Sequence, residues 1–206
     1  MVYIIGLTGN IACGKSQIAG ILRDLGAELI DADRVAHELL EPGTAEYGRI
    51  VERFGREILL PDGAIDRRKL GGIVFADPTA LRDLEQILHP AVRPRIRARF
   101  AAAQAPVVVV EAIKLLEVGL YLETDAVWVV TADRDTQVRR LMESRGLSRQ
   151  EAETRVDAQP PQSEKVARAD VVIDNSGDLS RSREQVVAAW RAIESGAAPS
   201  RRGETR

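Results

Sequence analysis

Residues 9–16 read Gly-Asn-Ile-Ala-Cys-Gly-Lys-Ser and match the pattern G-x-x-x-x-G-K-[ST] at every fixed position. Backbone N–H groups, a lysine and a helix N-terminus can together surround the dense negative charge of a triphosphate. Gly9 and Gly14 let the backbone curl without a clashing Cβ. Lys15 is expected to bridge the β- and γ-phosphates, and the Ser16 hydroxyl to ligate Mg²⁺. We call residues 9–16 the phosphate loop and predict that ATP contacts Gly9, Asn10, Ile11, Ala12, Cys13, Gly14, Lys15, Ser16 and Gln17.

Two aspartates, Asp31 and Asp33, stand at the end of the second apolar run of the chain, Ala27–Asp31. A kinase must accept the proton of the attacking alcohol, and a carboxylate can do so. Asp33, further from the run, is the candidate base. Asp31 is expected to orient water around Mg²⁺ or to contact the acceptor. The alternative is that Asp33 only caps a helix that begins near Arg34.

Glu111 ends a third run, Val107-Val108-Val109-Val110-Glu111. Four apolar residues followed by an acid are typical of a Walker B strand, whose carboxylate reaches Mg²⁺ through water. Strands often end in acids, so this signal depends on the phosphate loop. The expected cofactors are therefore ATP and Mg²⁺, with Ser16 and Glu111 at the metal.

Arginines are concentrated after the fourth apolar run, at positions 139, 140, 145, 149 and 155. Phosphoryl transfer spreads charge over equatorial oxygens, which a planar guanidinium can contact. We predict a closing lid over residues 136–159 in which Arg140 and Arg145 are the favoured phosphate contacts, and in which Arg140 takes part in catalysis and nucleotide binding. The alternative, a solvated helical face, is favoured for Arg139 and Arg149.

Five short apolar runs must position these residues: Tyr3–Thr8, Ala27–Asp31, Val107–Glu111, Ala126–Thr131 and Asp170–Asp174. Each is nearly continuous in apolar character, as strands covered on both faces are. Helical patterns between the runs cover about 15–25, 81–104, 134–145 and 149–159, and a further one, 181–193, follows the last run. Strands alternating with helices predict an α/β fold with a five-stranded, mostly parallel sheet sandwiched by helices, as in P-loop kinases.

Residues 32–104 contain helical patterns but no good strand, and are interpreted as an acceptor-binding insertion. Breaks are expected at Pro42-Gly43, Gly55, Pro61-Asp62-Gly63, Asp77-Pro78 and His89-Pro90. The core is then expected to comprise about 1–31, 105–135 and 160–194. The tail, 195–206, is expected to be disordered because it lacks anchors for a core.

The bulk composition restricts the partners. The 206 residues carry a net charge of −2 and 45% apolar residues, which argues against nucleic-acid or membrane partners. Cys13 is the single cysteine, which excludes an intrachain disulfide. No apolar run approaches the roughly 20 residues of a spanning helix, and residues 1–6 read as a strand. We expect a cytoplasmic monomer or weak homo-oligomer.

Taken in order, these motifs resemble the dephospho-CoA kinase family over roughly residues 3–190. Many families share the phosphate loop, whereas the set that includes Asp-Ala-Asp and His-Pro is far more specific. The resembling segments are 5–16, Ile30-Asp31-Ala32-Asp33, 66–70, Val74-Phe75, Leu84–Pro90, Gln137 with Arg140 and Arg145, Arg155 with Gln159, and 169–177.

The resemblance implies ATP-dependent phosphorylation of the ribose 3′-hydroxyl of dephospho-CoA, giving CoA and ADP. It implies that Asp33 is the proton acceptor and Arg140 the lid arginine. Segment 169–177 resembles the part beside the adenine, which implies nucleotide contacts at Asn175 and Gly177. The residues implied to bind the acceptor are Asp31, Asp33, Arg67 and His89. The alternative for His89 is a residue that starts a helix before Pro90.

The segment after the third run departs from the family pattern Asp-x-Pro-Leu-Leu-Phe-Glu. It reads Glu111-Ala112-Ile113-Lys114-Leu115-Leu116-Glu117. Glu in place of Asp reaches about one methylene further, which a water-bridged metal contact tolerates. Lys114 adds a charge that is expected to pair with phosphate or pantetheine oxygens of the acceptor.

Two other functions fit part of the pattern. The first is a P-loop kinase that acts on another small alcohol or nucleotide. The second is a non-catalytic nucleotide-binding switch, which the complete set of Gly-Lys-Ser and carboxylates argues against. A GTPase would also need an Asn-Lys-x-Asp segment, which the sequence lacks.

Overall fold

The computed structural model describes residues 2–198. Its strands are β1 Tyr3–Thr8, β2 Glu28–Asp31, β3 Val107–Glu111, β4 Ala126–Thr131 and β5 Val171–Asp174. Its α-helices are α1 Lys15–Asp24, α2 Ala32–Glu38, α3 Ala45–Phe54, α4 Arg67–Ala76, α5 Pro78–Ala102, α6 Arg134–Arg145, α7 Arg149–Asp157, α8 Gln162–Val166 and α9 Leu179–Glu194. Short 3₁₀ turns occupy Arg56–Ile58 and Leu120–Glu123.

The five strands form one sheet in the order β2-β3-β1-β4-β5. β1 pairs in parallel with β3 and β4, and β4 pairs in parallel with β5. Leu7 and Trp128 of the sheet lie in one buried cluster with Leu22 of α1 and Trp190 of α9. The predicted five-stranded parallel sheet flanked by helices is confirmed.

The chain divides into two compact units, residues 31–102 and the remainder. The helical unit, 31–102, contains α2 to α5. Its core includes Ile50 and Phe54 of α3 and Leu70 and Val74 of α4. From Ala32 to Ala102, all of which the structure describes, strand-like pairing is restricted to an isolated antiparallel bridge between Leu59 and Ile65.

The expected break at His89-Pro90 is wrong, because α5 continues through Pro90 and Pro94. A proline in a helix interior costs about 3 kcal/mol through its lost N–H and its ring clash. Leu84, Ile87 and Leu88, which precede the first proline, pack against the core of the helical unit and favour the helix there. Asp77-Pro78 does separate α4 from α5, since proline suits a first helical position.

The first residues of the predicted tail continue from α9. The N–H groups of Ala197 and Ala198 each donate to the carbonyl oxygen of Ala192 at 2.9 Å. The rest of the predicted tail, 199–206, lies outside the described residues. Across residues 2–198, no helix has both the length and the apolar character required to cross a membrane.

Candidate active site

The phosphate loop joins β1 to α1 and depends on its two glycines. Gly9 has a φ of 155° and Gly14 a φ of 91°, which residues with a Cβ rarely adopt. A Cβ on Gly9 would press on the Val130 carbonyl oxygen, and a Cβ on Gly14 would press on the Asn175 side-chain amide. Ala12, at a φ of 57°, is the one non-glycine residue with a positive φ in the described part of the chain.

Lys15 is held by the loop that it follows. Its Nζ donates to the carbonyl oxygens of Gly9 at 3.0 Å and Asn10 at 3.4 Å. These acceptors are neutral, so they orient the ammonium without cancelling its charge. The arrangement can therefore attract a polyphosphate.

Ser16 and Glu111 come together from the start of α1 and the end of β3. The Ser16 hydroxyl donates to Glu111 Oε1 at 3.4 Å. A hydroxyl and a carboxylate are hard oxygen ligands of the kind that Mg²⁺ prefers. The residues present therefore fit the ion that the phosphate-loop pattern implies.

The Arg140 side chain extends from α6 to the backbone of the phosphate loop. Its Nη1 donates to the carbonyl oxygens of Ala12 at 3.3 Å and Cys13 at 3.1 Å. Its Nη2 donates to the Asn175 carbonyl oxygen at 2.8 Å. The guanidinium thus joins the loop to the segment that follows β5.

Asn175 is buried behind the loop. Its Nδ2 donates to the Cys13 carbonyl oxygen at 2.8 Å and to Gln17 Oε1 at 3.2 Å. Its Oδ1 accepts from the Ser182 hydroxyl at 2.8 Å. The whole side-chain amide is engaged inside the protein, where it braces the loop, whereas Gly177, predicted beside it at the nucleotide, is exposed.

The Cys13 side chain points into the core and not into solvent. Burial raises the pKa of its thiol above the usual value, and the charges of Lys15 and Arg140 lower that pKa by less. The thiol is therefore neutral at neutral pH and acts as a small packing group.

The segment after β3 is anchored through the backbone of Ile113. Its carbonyl oxygen accepts from Thr8 Oγ1 at 3.1 Å and from Lys165 Nζ at 2.7 Å. The buried Lys165 also pairs with Glu117 at 3.1 Å. Proline would offer the same carbonyl, which explains why isoleucine is compatible with this position. The Lys114 side chain is exposed.

In the helical unit, Asp31 caps α2. Its Oδ1 accepts from the Arg34 N–H at 3.0 Å, and Asp33 lies in the first turn with its side chain exposed. The alternative in which Asp33 caps this helix is therefore wrong, because the helix begins at Ala32, earlier than the sequence suggested. Capping of α2 does not account for the Asp33 carboxylate.

Asp33 and Arg67 line one groove of the helical unit, with a volume of about 340 Å³. The rest of its lining is mainly apolar: Ala36, His37, Leu40, Leu70, Gly71, Val74, Phe75, Leu84 and Leu88. His89 is exposed on α5, one residue beyond Leu88. The structure thus brings two of the predicted acceptor residues to one groove.

Sequence reasoning assigned no contact with the loop to Gln137 or Gln159, both of which bond to Ile11. Gln137 is buried in α6 and donates to the Ile11 carbonyl oxygen at 2.9 Å. The one available signal was a polar residue four positions before Leu141, on the apolar face of that helix.

Replacing Gly14 with alanine should destabilise the protein by about 1–3 kcal/mol, because alanine would be strained at this φ and its Cβ would displace the Asn175 amide. Urea titration measures the free energy of unfolding. Gly20→Ala is the matched control, since Gly20 lies inside α1 and a Cβ there would meet no other atom within 4 Å. That control should stabilise by about 0.5–1 kcal/mol. A G14A variant as stable as the parent would contradict the loop geometry.

A sequence model of the family described as dephospho-CoA kinase matches residues 3–181. A dephospho-CoA kinase of Geobacter sulfurreducens is 51% identical over 190 residues, covering 91% of this chain and 96% of that protein. One of Symbiobacterium thermophilum is 50% identical over 192 residues, covering 92% of this chain and 80% of that protein.

Solved structures show the same relationship. The dephospho-CoA kinase from Campylobacter jejuni is 31% identical, with a TM-score of 0.71 over 95% of this chain and 99% of that one. A shikimate kinase from Bacteroides thetaiotaomicron has a TM-score of 0.51 at 18% identity, over 93% of this chain and 98% of that one. The second likeness concerns the fold alone.

Proposed function

Since this chain belongs to the dephospho-CoA kinase family, we propose that its phosphate loop holds the ATP whose γ-phosphate is transferred to dephospho-CoA. The enzyme phosphorylates the ribose 3′-hydroxyl of dephospho-CoA and gives CoA and ADP, the final step of CoA biosynthesis. The observation that best supports this site is the position of the Lys15 ammonium, which donates to the Gly9 and Asn10 carbonyl oxygens of the loop.

Asp33 is the general base of the proposed reaction. The acceptor oxygen attacks the γ-phosphorus while the bond from that phosphorus to the β,γ-bridging oxygen breaks. Asp33 takes the hydroxyl proton, and ADP leaves with the bond electrons. The exposed carboxylate of Asp33, which α2 does not use as its cap, supports this role.

Ser16 and Glu111 are the residues that would hold Mg²⁺, Ser16 directly and Glu111 through water. When bound, the ion neutralises charge on the β- and γ-phosphate oxygens. The contact of 3.4 Å between the two side chains supports the assignment. Asp31, which also caps α2, is proposed to orient water around Mg²⁺ or to contact the acceptor.

Residues 136–159 are proposed to form the lid. Arg140, which already donates to the loop carbonyls, is proposed to contact the transferring phosphate when ATP is bound. Closure of the lid would exclude water and limit wasteful hydrolysis. Asn175 and Gly177 are proposed to lie beside the adenine.

The groove of the helical unit is proposed to receive dephospho-CoA. Its apolar lining suits a flexible organic arm, and Arg67 can pair with a phosphate of the acceptor. His89 and Lys114 are proposed as further acceptor contacts. A cytoplasmic location and a monomer or weak homo-oligomer are also proposals, based on composition.

A coupled ADP-release assay with dephospho-CoA as acceptor tests the function. We expect rapid ADP release and a product heavier by one phosphate, located on the ribose 3′-oxygen by NMR. Shikimate and nucleoside monophosphates should react far more slowly in the same assay. Preference for a nucleoside monophosphate or a sugar would overturn the assignment.

A further inference from the structure

We propose that Gln137 and Gln159 are positioning residues that clamp Ile11 and thereby set the orientation of two peptide groups of the phosphate loop. The inference rests on the proposed function of that loop as the ATP site. It assigns these two glutamines to loop geometry and not to contact with substrate.

The two glutamines bond opposite polar groups of Ile11. Gln159 Oε1 accepts from the Ile11 N–H at 2.8 Å, and Gln137 Nε2 donates to the Ile11 carbonyl oxygen at 2.9 Å. The backbone fixes which end of each amide faces it, because an N–H can only donate and a carbonyl can only accept. Gln137 has 2% exposure, so its amide is committed to protein partners.

Each bond orients a whole peptide plane, because the peptide is planar and all described peptide bonds are trans. With the Ile11 N–H turned to Gln159, the Asn10 carbonyl faces the other way, where Lys15 Nζ donates to it at 3.4 Å. With the Ile11 carbonyl turned to Gln137, the Ala12 N–H likewise faces away from Gln137.

The clamp acts where the loop needs support. Ala12 follows Ile11 and has a φ of 57°, a strained conformation for a residue with a Cβ. Gln137 lies near the start of the proposed lid, in α6, and Gln159 lies at its end, after α7. Asn10 Nδ2 adds a third tie, to the Pro160 carbonyl oxygen at 2.9 Å. Hydrogen bonds therefore join both ends of the proposed lid to Asn10 and Ile11 of the phosphate loop.

Replacement of glutamine by glutamate should weaken ADP binding at position 137 but hardly change it at position 159. Gln137→Glu replaces the donor to the Ile11 carbonyl by a carboxylate, whereas Gln159→Glu keeps an acceptor for the Ile11 N–H. By calorimetry with ADP and no acceptor, we expect Q137E to weaken binding about tenfold. We expect Q159E to stay within about twofold of the parent.

The pH profile separates positioning from a general structural defect. A protonated carboxyl can donate again, and burial raises the pKa of the carboxyl of Glu in place of Gln137. The loss of ADP affinity in Q137E relative to the parent should therefore be smaller at about pH 5.5 than at about pH 8. Amide exchange at Ile11 should quicken in Gln159→Met and stay slow in Q159E. Equal ADP affinity of Q137E and the parent, or equal losses in Q137E and Q159E, would overturn the clamp.

Thermal melts identify a variant that fails to fold. If Q137E fails to fold, Gln137→Met serves as the test in its place. We expect Q137M to bind ADP more weakly than the parent, because methionine lacks the donor. Binding of ADP by Q137M at parental affinity would overturn the proposal. Failure of the parent itself to bind ADP would instead refute the proposed function of the loop. The variants therefore test the clamp, and the parent protein in the same experiment tests the loop as the ATP site.

Discussion

Asp33→Asn is expected to lower turnover with dephospho-CoA by about 10²–10⁴-fold, while affinity for ATP stays within about twofold. An amide of nearly the same shape cannot accept the proton of the attacking hydroxyl. The N-cap of α2 should persist in D33N, because Asp31 and not Asp33 supplies it. Steady-state kinetics with both substrates, together with calorimetry of the nucleotide, measure the two quantities.

Asp178→Asn is the matched control for Asp33. Asp178 is an exposed aspartate at the N-cap of α9, where its side chain makes no capping hydrogen bond. The control should keep parental turnover. Full turnover in D33N would reject Asp33 as the base, and a loss of ATP affinity equal to the loss of turnover would indicate a binding role instead.

Lys15→Met should lower turnover by about 10²–10³-fold and weaken ATP binding at the same time. The variant removes a charge expected to bridge the β- and γ-phosphates, and it also leaves the Gly9 and Asn10 carbonyls without the lysine as donor. Both kcat and KM for ATP should change, unlike in D33N.

Lys69→Met provides the comparison for K15M. Lys69, in α4, is exposed, and its Nζ also donates to a backbone carbonyl, that of Glu57 at 3.2 Å. Loss of that bond should leave nucleotide affinity unchanged. A K15M variant that binds ATP as tightly as K69M does would contradict the proposed phosphate contact.

Local patterns were sufficient for the sheet and the phosphate loop. The bounds of β1, β3 and β4 agree with the prediction to the residue, because continuous apolar runs are needed wherever a strand is covered on both faces. α6 also has its predicted bounds, with Asp133 as its cap and Gly146 at its end. These signals depend on neighbouring residues alone.

Local patterns gave wrong predictions where tertiary packing, or a second residue able to take the same role, determined the structure. His89-Pro90 reads as a break, yet α5 continues because its apolar side chains pack in the core of the helical unit. Asp33 fits the pattern of a cap, yet the helix starts earlier and Asp31 takes that position. The course of α5 could not be inferred from propensity, since tertiary contacts outweigh it. The choice between Asp31 and Asp33 could not be made from propensity either, because the two residues are of the same type.

The sequence by itself determined the chemistry: a glycine-rich loop, a lysine and acids at strand ends can handle a polyphosphate and a proton. Only the tertiary structure decided how that loop is held. Gln137 and Gln159 are 126 and 148 residues from Ile11 along the chain. Hydrogen bonds between such distant residues exist only after the chain has folded, so no local spacing encodes them.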